Sequence, residues 1–138
     1  MAEEIIVRLF SCTYLEGGEC TVPAGSRVVL RFGWVAKNQG LIKNFLQGQT
    51  TTISLNGAAP IDISDSYGPI EPVTDGFVTR VSYDTGVTLA AGESLQVDAT
   101  QEVSHLLIDG FRDETTNKPL KYSPDEPLGL FHCRITAS

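Results

Sequence analysis

Ser26-Arg27-Val28-Val29-Leu30-Arg31-Phe32-Gly33-Trp34-Val35-Ala36 is the stretch that decides the fold. Val28, Leu30, Phe32 and Trp34 alternate with Arg27, Val29, Arg31 and Gly33, the period of a half-buried strand. The first set is expected to face a core and the two arginines to face solvent. Pro23-Ala24-Gly25 sets a turn just ahead of it.

The same grammar extends along the chain. Ile5 to Phe10 reads as a first strand. Thr51, Ile53 and Leu55 alternate up to the turn signal Asn56-Gly57, and Ile61 and Ile63 resume after Pro60. Phe77, Thr79, Val81 and Tyr83 read as a strand closed by Asp84-Thr85-Gly86. Leu89-Ala90-Ala91-Gly92 is a turn before Leu95, Val97 and Ala99. Val103 to Ile108 and Leu128 to Thr136 complete a set of about eight or nine strands. Residues 112–127, rich in charge and proline, read as a long surface excursion. Only residues 38–48 change period. There Leu41, Ile42, Phe45 and Leu46 share one face of a short helix, bracketed by Gly40 and Gly48 and expected to cap an open end of the fold. The expectation is an all-β, antiparallel β-sandwich, immunoglobulin-like, with one short helix, forming a single domain over residues 1–138.

Charge narrows the function. The chain has 17 acidic and 10 basic residues for a net charge of −7, and its basic residues are scattered singly. Nucleic-acid binding needs a local basic patch, so no nucleic-acid partner is expected, and anionic membranes are disfavoured on the same ground. No run approaches the ~20 apolar residues of a membrane span. The opening Met1-Ala2-Glu3-Glu4 is acidic, where an export signal begins basic and turns apolar. The chain is therefore either cytoplasmic or exported with its signal removed, Met1-Ala2 then being non-native.

Cys12 and Cys20 flank a loop whose Gly17-Gly18 pair lets the chain reverse, so a Cys12–Cys20 disulfide is expected. Such a bond persists in oxidising compartments and argues for export. Alternation in Leu130-Phe131-His132-Cys133-Arg134-Ile135 puts Cys133 on the core face with Phe131 and Ile135, as a small free core residue. An immunoglobulin Cys–Trp–Cys signature through Cys20, Trp34 and Cys133 is rejected. The two cysteines lie 113 positions apart, too far for a domain of ~100 residues, and Phe131 stands where a tyrosine corner needs Tyr.

The sequence carries little recognisable chemistry. His132 and Cys133 are adjacent and point to opposite faces, which argues against a blue-copper set built from them with His105. No Gly-x-Ser-x-Gly elbow and no phosphate-binding glycine motif is present. Asp62, Ser64, Asp65 and Ser66, and later Asp109, Asp113 and Glu114, offer oxygens for calcium. Their spacing fits no EF-hand, and solvated turn carboxylates are the expectation. No cofactor, metal or catalytic residue is therefore assigned. Tyr14, Tyr67 and Tyr122 lie among polar neighbours, and exposed aromatics stack on sugars or anchor partners. Tyr67 and Tyr122 are the candidate ligand-binding residues.

Several segments together resemble a type of bacterial β-sandwich domain, secreted or surface-attached, with immunoglobulin-like or fibronectin-III-like architecture. They are Pro23-Ala24-Gly25 with Val29 to Trp34, Gly40-Leu41 to Phe45-Leu46, Asp75 to Arg80, Tyr83 to Gly86, Leu89 to Gly92, and Asp109-Gly110. The resemblance covers roughly residues 22–136 and implies a fold and an extracellular or cell-surface setting. It brings no catalytic residues. The leading expectation is a non-enzymatic binding or spacer module for a protein or carbohydrate. The alternatives are an assembly subunit pairing through sheet edges, against which Arg8, Arg31 and Arg80 argue, and an enzyme whose site only tertiary structure assembles.

Overall fold

The computed structural model describes residues 3–138, so the status of Met1-Ala2 lies outside it. In chain order the strands are β1 (Glu4–Arg8), β2 (Glu19–Val22), β3 (Arg27–Ala36), β4 (Gln49–Leu55), β5 (Ile61–Asp62), β6 (Glu71–Val73), β7 (Gly76–Thr88), β8 (Ser94–Val103), β9 (Leu107–Arg112), β10 (Pro119–Tyr122) and β11 (Gly129–Ala137). One α-helix, α1 (Gln39–Gly48), joins β3 to β4. The protein is mostly β.

Two sheets face one another, in the orders β1-β3-β7-β6 and β2-β11-β8-β4-β5, and β9 and β10 form a separate hairpin. The alternation of β3 decides which side is buried: Val28, Leu30, Phe32 and Trp34 all face inward. Val28, Leu30, Phe32 and Val81 of the first sheet meet Leu95, Val97, Phe131, Cys133 and Ile135 of the second in one core. On β11 the predicted alternation also holds, with His132 and Arg134 on the solvent side.

A purely antiparallel arrangement is corrected at two places. β1 runs parallel to β3, and β2 runs parallel to β11. β2 lies in the opposite sheet, so the chain leaves β1, crosses the core and returns to β3 in its original direction. Both sheets are therefore mixed. Other boundaries differ as well, and β1 stops at Arg8 where a strand through Phe10 is expected. Ser104-His105 forms a bend that separates β8 from β9 where one strand was expected, β7 continues through Asp84-Thr85-Gly86 to Thr88, and the charged excursion contains β10.

Helix α1 is where the period change placed it. Asn38 caps it by accepting the Leu41 N–H at 3.0 Å, and Ile42 and Phe45 are buried. Phe45 stacks on Trp34 with ring centroids 4.9 Å apart, forming a second core with Ala36, Val103 and Leu107. The helix ends against His105. A Cβ on Gly48 would lie 2.3 Å from the imidazole Cε1, and His105 Nε2 pairs with Asn44 Oδ1 at 2.9 Å.

Gly33 is required by a similar close approach. A Cβ there would stand 2.2 Å from the Thr79 carbonyl oxygen, which is backbone and has no room to turn aside. Gly33→Ala is expected to cost about 1–3 kcal/mol, the range of overpacking. Urea unfolding checks this through a lower midpoint with an unchanged slope. An unaltered midpoint would mean that β3 and β7 are not this close.

Candidate functional site

The site arises where β1 stops. β1 ends at Arg8, opposite Arg31, and the chain turns out of the sheet into a π-helical turn, Ser11–Leu15. β3 runs on to Ala36, and among the described residues no strand pairs with it on that side beyond Arg31, although β9 meets its end where Asp109 accepts the Lys37 N–H. Three hydrogen bonds fix which backbone groups point there. Arg27 donates its N–H to Glu3 O at 2.8 Å, and Lys37 donates its N–H to Asp109 O at 2.8 Å, both away from β7. Arg80, opposite Gly33, turns its carbonyl away from β3 to accept the Gly68 N–H at 2.7 Å. Gly33 and Val35 share the parity of Arg27 and Lys37, so their N–H and C=O groups point out of the open edge. Gln101 Nε2 donates to Gly33 O at 3.4 Å, so that carbonyl already has a partner.

Beside this edge lies a groove of about 840 Å³. Phe10, Ser11 and Tyr14 of the helical turn form one flank, and Tyr122, Leu128 and Gly129 contribute to the lining elsewhere. Tyr14 packs against Phe10 and meets Phe131 edge-on, with centroid distances of 5.1 and 6.1 Å, and its hydroxyl donates to Leu130 O. Arg8, Arg31 and Arg80 also border the groove. Arg80 is paired with Glu71 at 2.9 Å, and Arg31 Nε donates to Ser82 Oγ at 3.1 Å.

The two candidate tyrosines do not share a surface. Tyr122 lines the groove, set edge-on to Trp34 at 6.1 Å, and its hydroxyl donates to the buried Asp109 carboxylate at 2.7 Å. Asp109 also accepts the Phe111 N–H at 2.9 Å. Tyr67 is not the exposed loop residue expected. It packs edge-on against Phe45 and contacts both cores. Its hydroxyl bonds Thr51 Oγ1 at 2.9 Å and accepts from Gln101 Nε2 at 2.8 Å. Burial pushes the Tyr67 phenol above the ordinary tyrosine value. Burial, and then the Asp109 carboxylate, push that of Tyr122 well above it.

The acidic turns serve the backbone. Asp62 accepts the Ser64 N–H at 2.8 Å, and Asp113 accepts those of Thr115 and Thr116 at 2.8 and 3.0 Å. The Ser64 side chain and then its N–H hold the Asp62 carboxyl below the ordinary aspartate value, and the Thr116 and Thr115 N–H groups do the same for Asp113. His132 Nδ1 lies 2.6 Å from Asp98 Oδ1 on the exposed face of the sheet. Neither histidine lines the groove.

The cysteine pairing is corrected. Cys12 is joined to Cys133 across a sequence separation of 121, with Cα atoms 5.9 Å apart, and Cys20 is free. The reason is local. The chain turns helically after β1 and aims Cys12 into the core against β11 before Gly17 and Gly18, at φ +71° and +87°, reverse it. The reversal does bring Cys20 close, and the three sulfurs lie within 4.8 Å of one another. Burial, and then Glu16, push the Cys20 thiol up.

Compared with known protein families, with characterised proteins and with solved structures, the chain matches none.

Two measurements check this geometry. Cys12→Ser is expected to lose roughly 4–5 kcal/mol, the chain-entropy scale for so long a loop, while Cys20→Ser loses less than about 1 kcal/mol. Equal losses in denaturant melts would contradict the Cys12–Cys133 pairing. The raised phenols give a pH dependence. The unfolded chain releases these two protons first, near the ordinary tyrosine value of about 10, so it binds fewer protons than the native state. Stability is intact below that pH and falls as pH rises above it. Absorbance titration is expected to show Tyr67 and Tyr122 ionising late, together with unfolding. Their ionisation near pH ~10 in the folded state would contradict their placement.

Proposed function

We propose that the protein is a non-enzymatic binding module on an immunoglobulin-like β-sandwich. It is exported to the cell surface or beyond, and its groove takes an extended segment of a partner protein as an added strand on β3. The open β3 edge carries this reading. Strand addition draws affinity from main-chain hydrogen bonds and specificity from pockets for alternate side chains. The Gly33 N–H and the main chain of Val35 offer the first, and the aromatic surface of Phe10, Tyr14 and Tyr122 offers the second. Arg8 and Arg31 border the groove with no carboxylate partner among the described residues, in a chain of net charge −7, which favours an acidic segment. A carbohydrate platform has less support, because Tyr67 is spent in the interior and the Tyr122 hydroxyl is held by Asp109. The Cys12–Cys133 bond supports export, in keeping with the resemblance to secreted β-sandwich domains.

Affinity selection of short random displayed peptides on the intact protein tests this. Acidic, proline-poor, strand-forming sequences are expected. Val35→Pro, which removes one outward N–H at an edge that tolerates proline, is expected to abolish their binding, and Arg31→Glu to weaken it at least about tenfold. Peptides that bind the Val35→Pro protein equally well would overturn strand addition. The same edge also favours a second reading, in which the added strand comes from another copy during assembly. Size-exclusion chromatography separates the two, since a concentration-dependent oligomer lost in Val35→Pro supports assembly.

A further inference from the structure

We infer that Cys12, Cys20 and Cys133, once reduced, form a three-thiolate site for a single soft metal ion, Cu(I). The spacing supports this. With metal–sulfur bonds of about 2.3 Å, three sulfurs around a trigonal ion stand roughly 4 Å apart. Cys20 Sγ already lies 3.9 Å from Cys133 Sγ, and all three sulfurs fall within 4.8 Å of one another. Only the bonded Cys12–Cys133 pair must separate, by roughly 2 Å from the disulfide distance to the trigonal one.

The strand register explains why Cys20 is placed for an ion rather than for a bond to Cys133. β2 and β11 set Cys20 opposite Ile135, two positions along from Cys133 on the same face. With strands about 4.8 Å apart and a rise of about 3.3 Å per residue, that offset puts the two Cα atoms roughly 8 Å apart, more than a disulfide spans without backbone movement. A metal bridges that gap. Cys12 and Cys133 are buried in the apolar core and Cys20 is half-buried against it, so an ion arrives past Cys20. Among the described residues no histidine or carboxylate completes the group. A set of three thiolates suits Cu(I), whereas zinc takes four ligands in structural sites.

The bridged and metal-loaded forms exclude each other. A dithiol reductant supplies two electrons and two protons to open the Cys12–Cys133 bond and is itself oxidised to a disulfide. Cu(I) then displaces one proton from each of the three thiols. The ion thus replaces the disulfide as the tie between the helical turn and β11, the same turn that flanks the groove.

The test uses the full-length protein, fully reduced, freed of reductant and kept anaerobic. Cu(I) is titrated in competition with a chromophoric chelator, and melting temperature and thiolate-to-copper ultraviolet absorption are followed. The expected result is one ion per chain and a raised melting temperature. In Cys20→Ser, whose serine replaces a free thiol, capture is at least about tenfold weaker, since even outer-shell losses act on that scale, and the melting temperature does not rise. Equal capture by Cys20→Ser, a stoichiometry other than one, or a fall in melting temperature from binding to the unfolded chain overturns the assignment. Should the reduced chain be unfolded before metal is added, Cu(I) is expected to restore its β-sheet circular dichroism, and failure to do so overturns it as well.

Discussion

The apolar layer between β3 and β11 is the constraint on which the remaining structure depends. Leu30 and Phe32 from one sheet meet Phe131, Cys133 and Ile135 from the other, with the two phenyl rings 5.2 Å apart. Each such side chain contributes roughly 1.5–3 kcal/mol when fully buried, so a handful of them holds the sheets together. The Cys12–Cys133 bond is set into this layer and ties the first helical turn to the last strand.

The groove is a consequence of that tie. For Cys12 to reach β11 the chain must leave the sheet after Arg8, and β3 is then left uncovered downstream of Arg31. An edge that a longer β1 would have paired stays open, and the helical turn that carries Cys12 also carries Tyr14 to the groove. Burial, bridge and opening are one arrangement. The chain gains a covalent anchor and leaves a short polar edge, bordered by charged Arg8 and Arg31, side chains of a kind that discourages indiscriminate pairing.

Much of the fold was legible in local pattern. The buried side of β3, the buried side of β11, helix α1 and the Asn56-Gly57 and Leu89 to Gly92 turns all follow from side-chain period and backbone preference, which act over a few residues. Strand direction was not legible, because alternation is the same in parallel and antiparallel strands. Nor was the cysteine pairing, since the nearer partner in sequence lost to one 121 positions away. Tyr67 misled for a related reason. Its neighbours in sequence are polar, yet Phe45, Thr51 and Gln101 enclose it in space. The open edge was not legible either, and the glycine at position 33 in an otherwise bulky strand reports on the paired strand β7 instead. A glycine inside a strand marks a close backbone approach, and Gly33 lies against Thr79.

The open edge of β3 is tested most directly by amide hydrogen exchange across residues 32–36, read residue by residue by NMR on the oxidised protein. Phe32 and Trp34 bond to β7 and are expected to exchange slowly, at rates set by unfolding of the core. The Gly33 and Val35 amides are expected to exchange orders of magnitude faster, at rates set by solvent access. Uniform protection from Phe32 to Ala36 would mean that another strand already covers this edge, and the groove would then not be a site for strand addition.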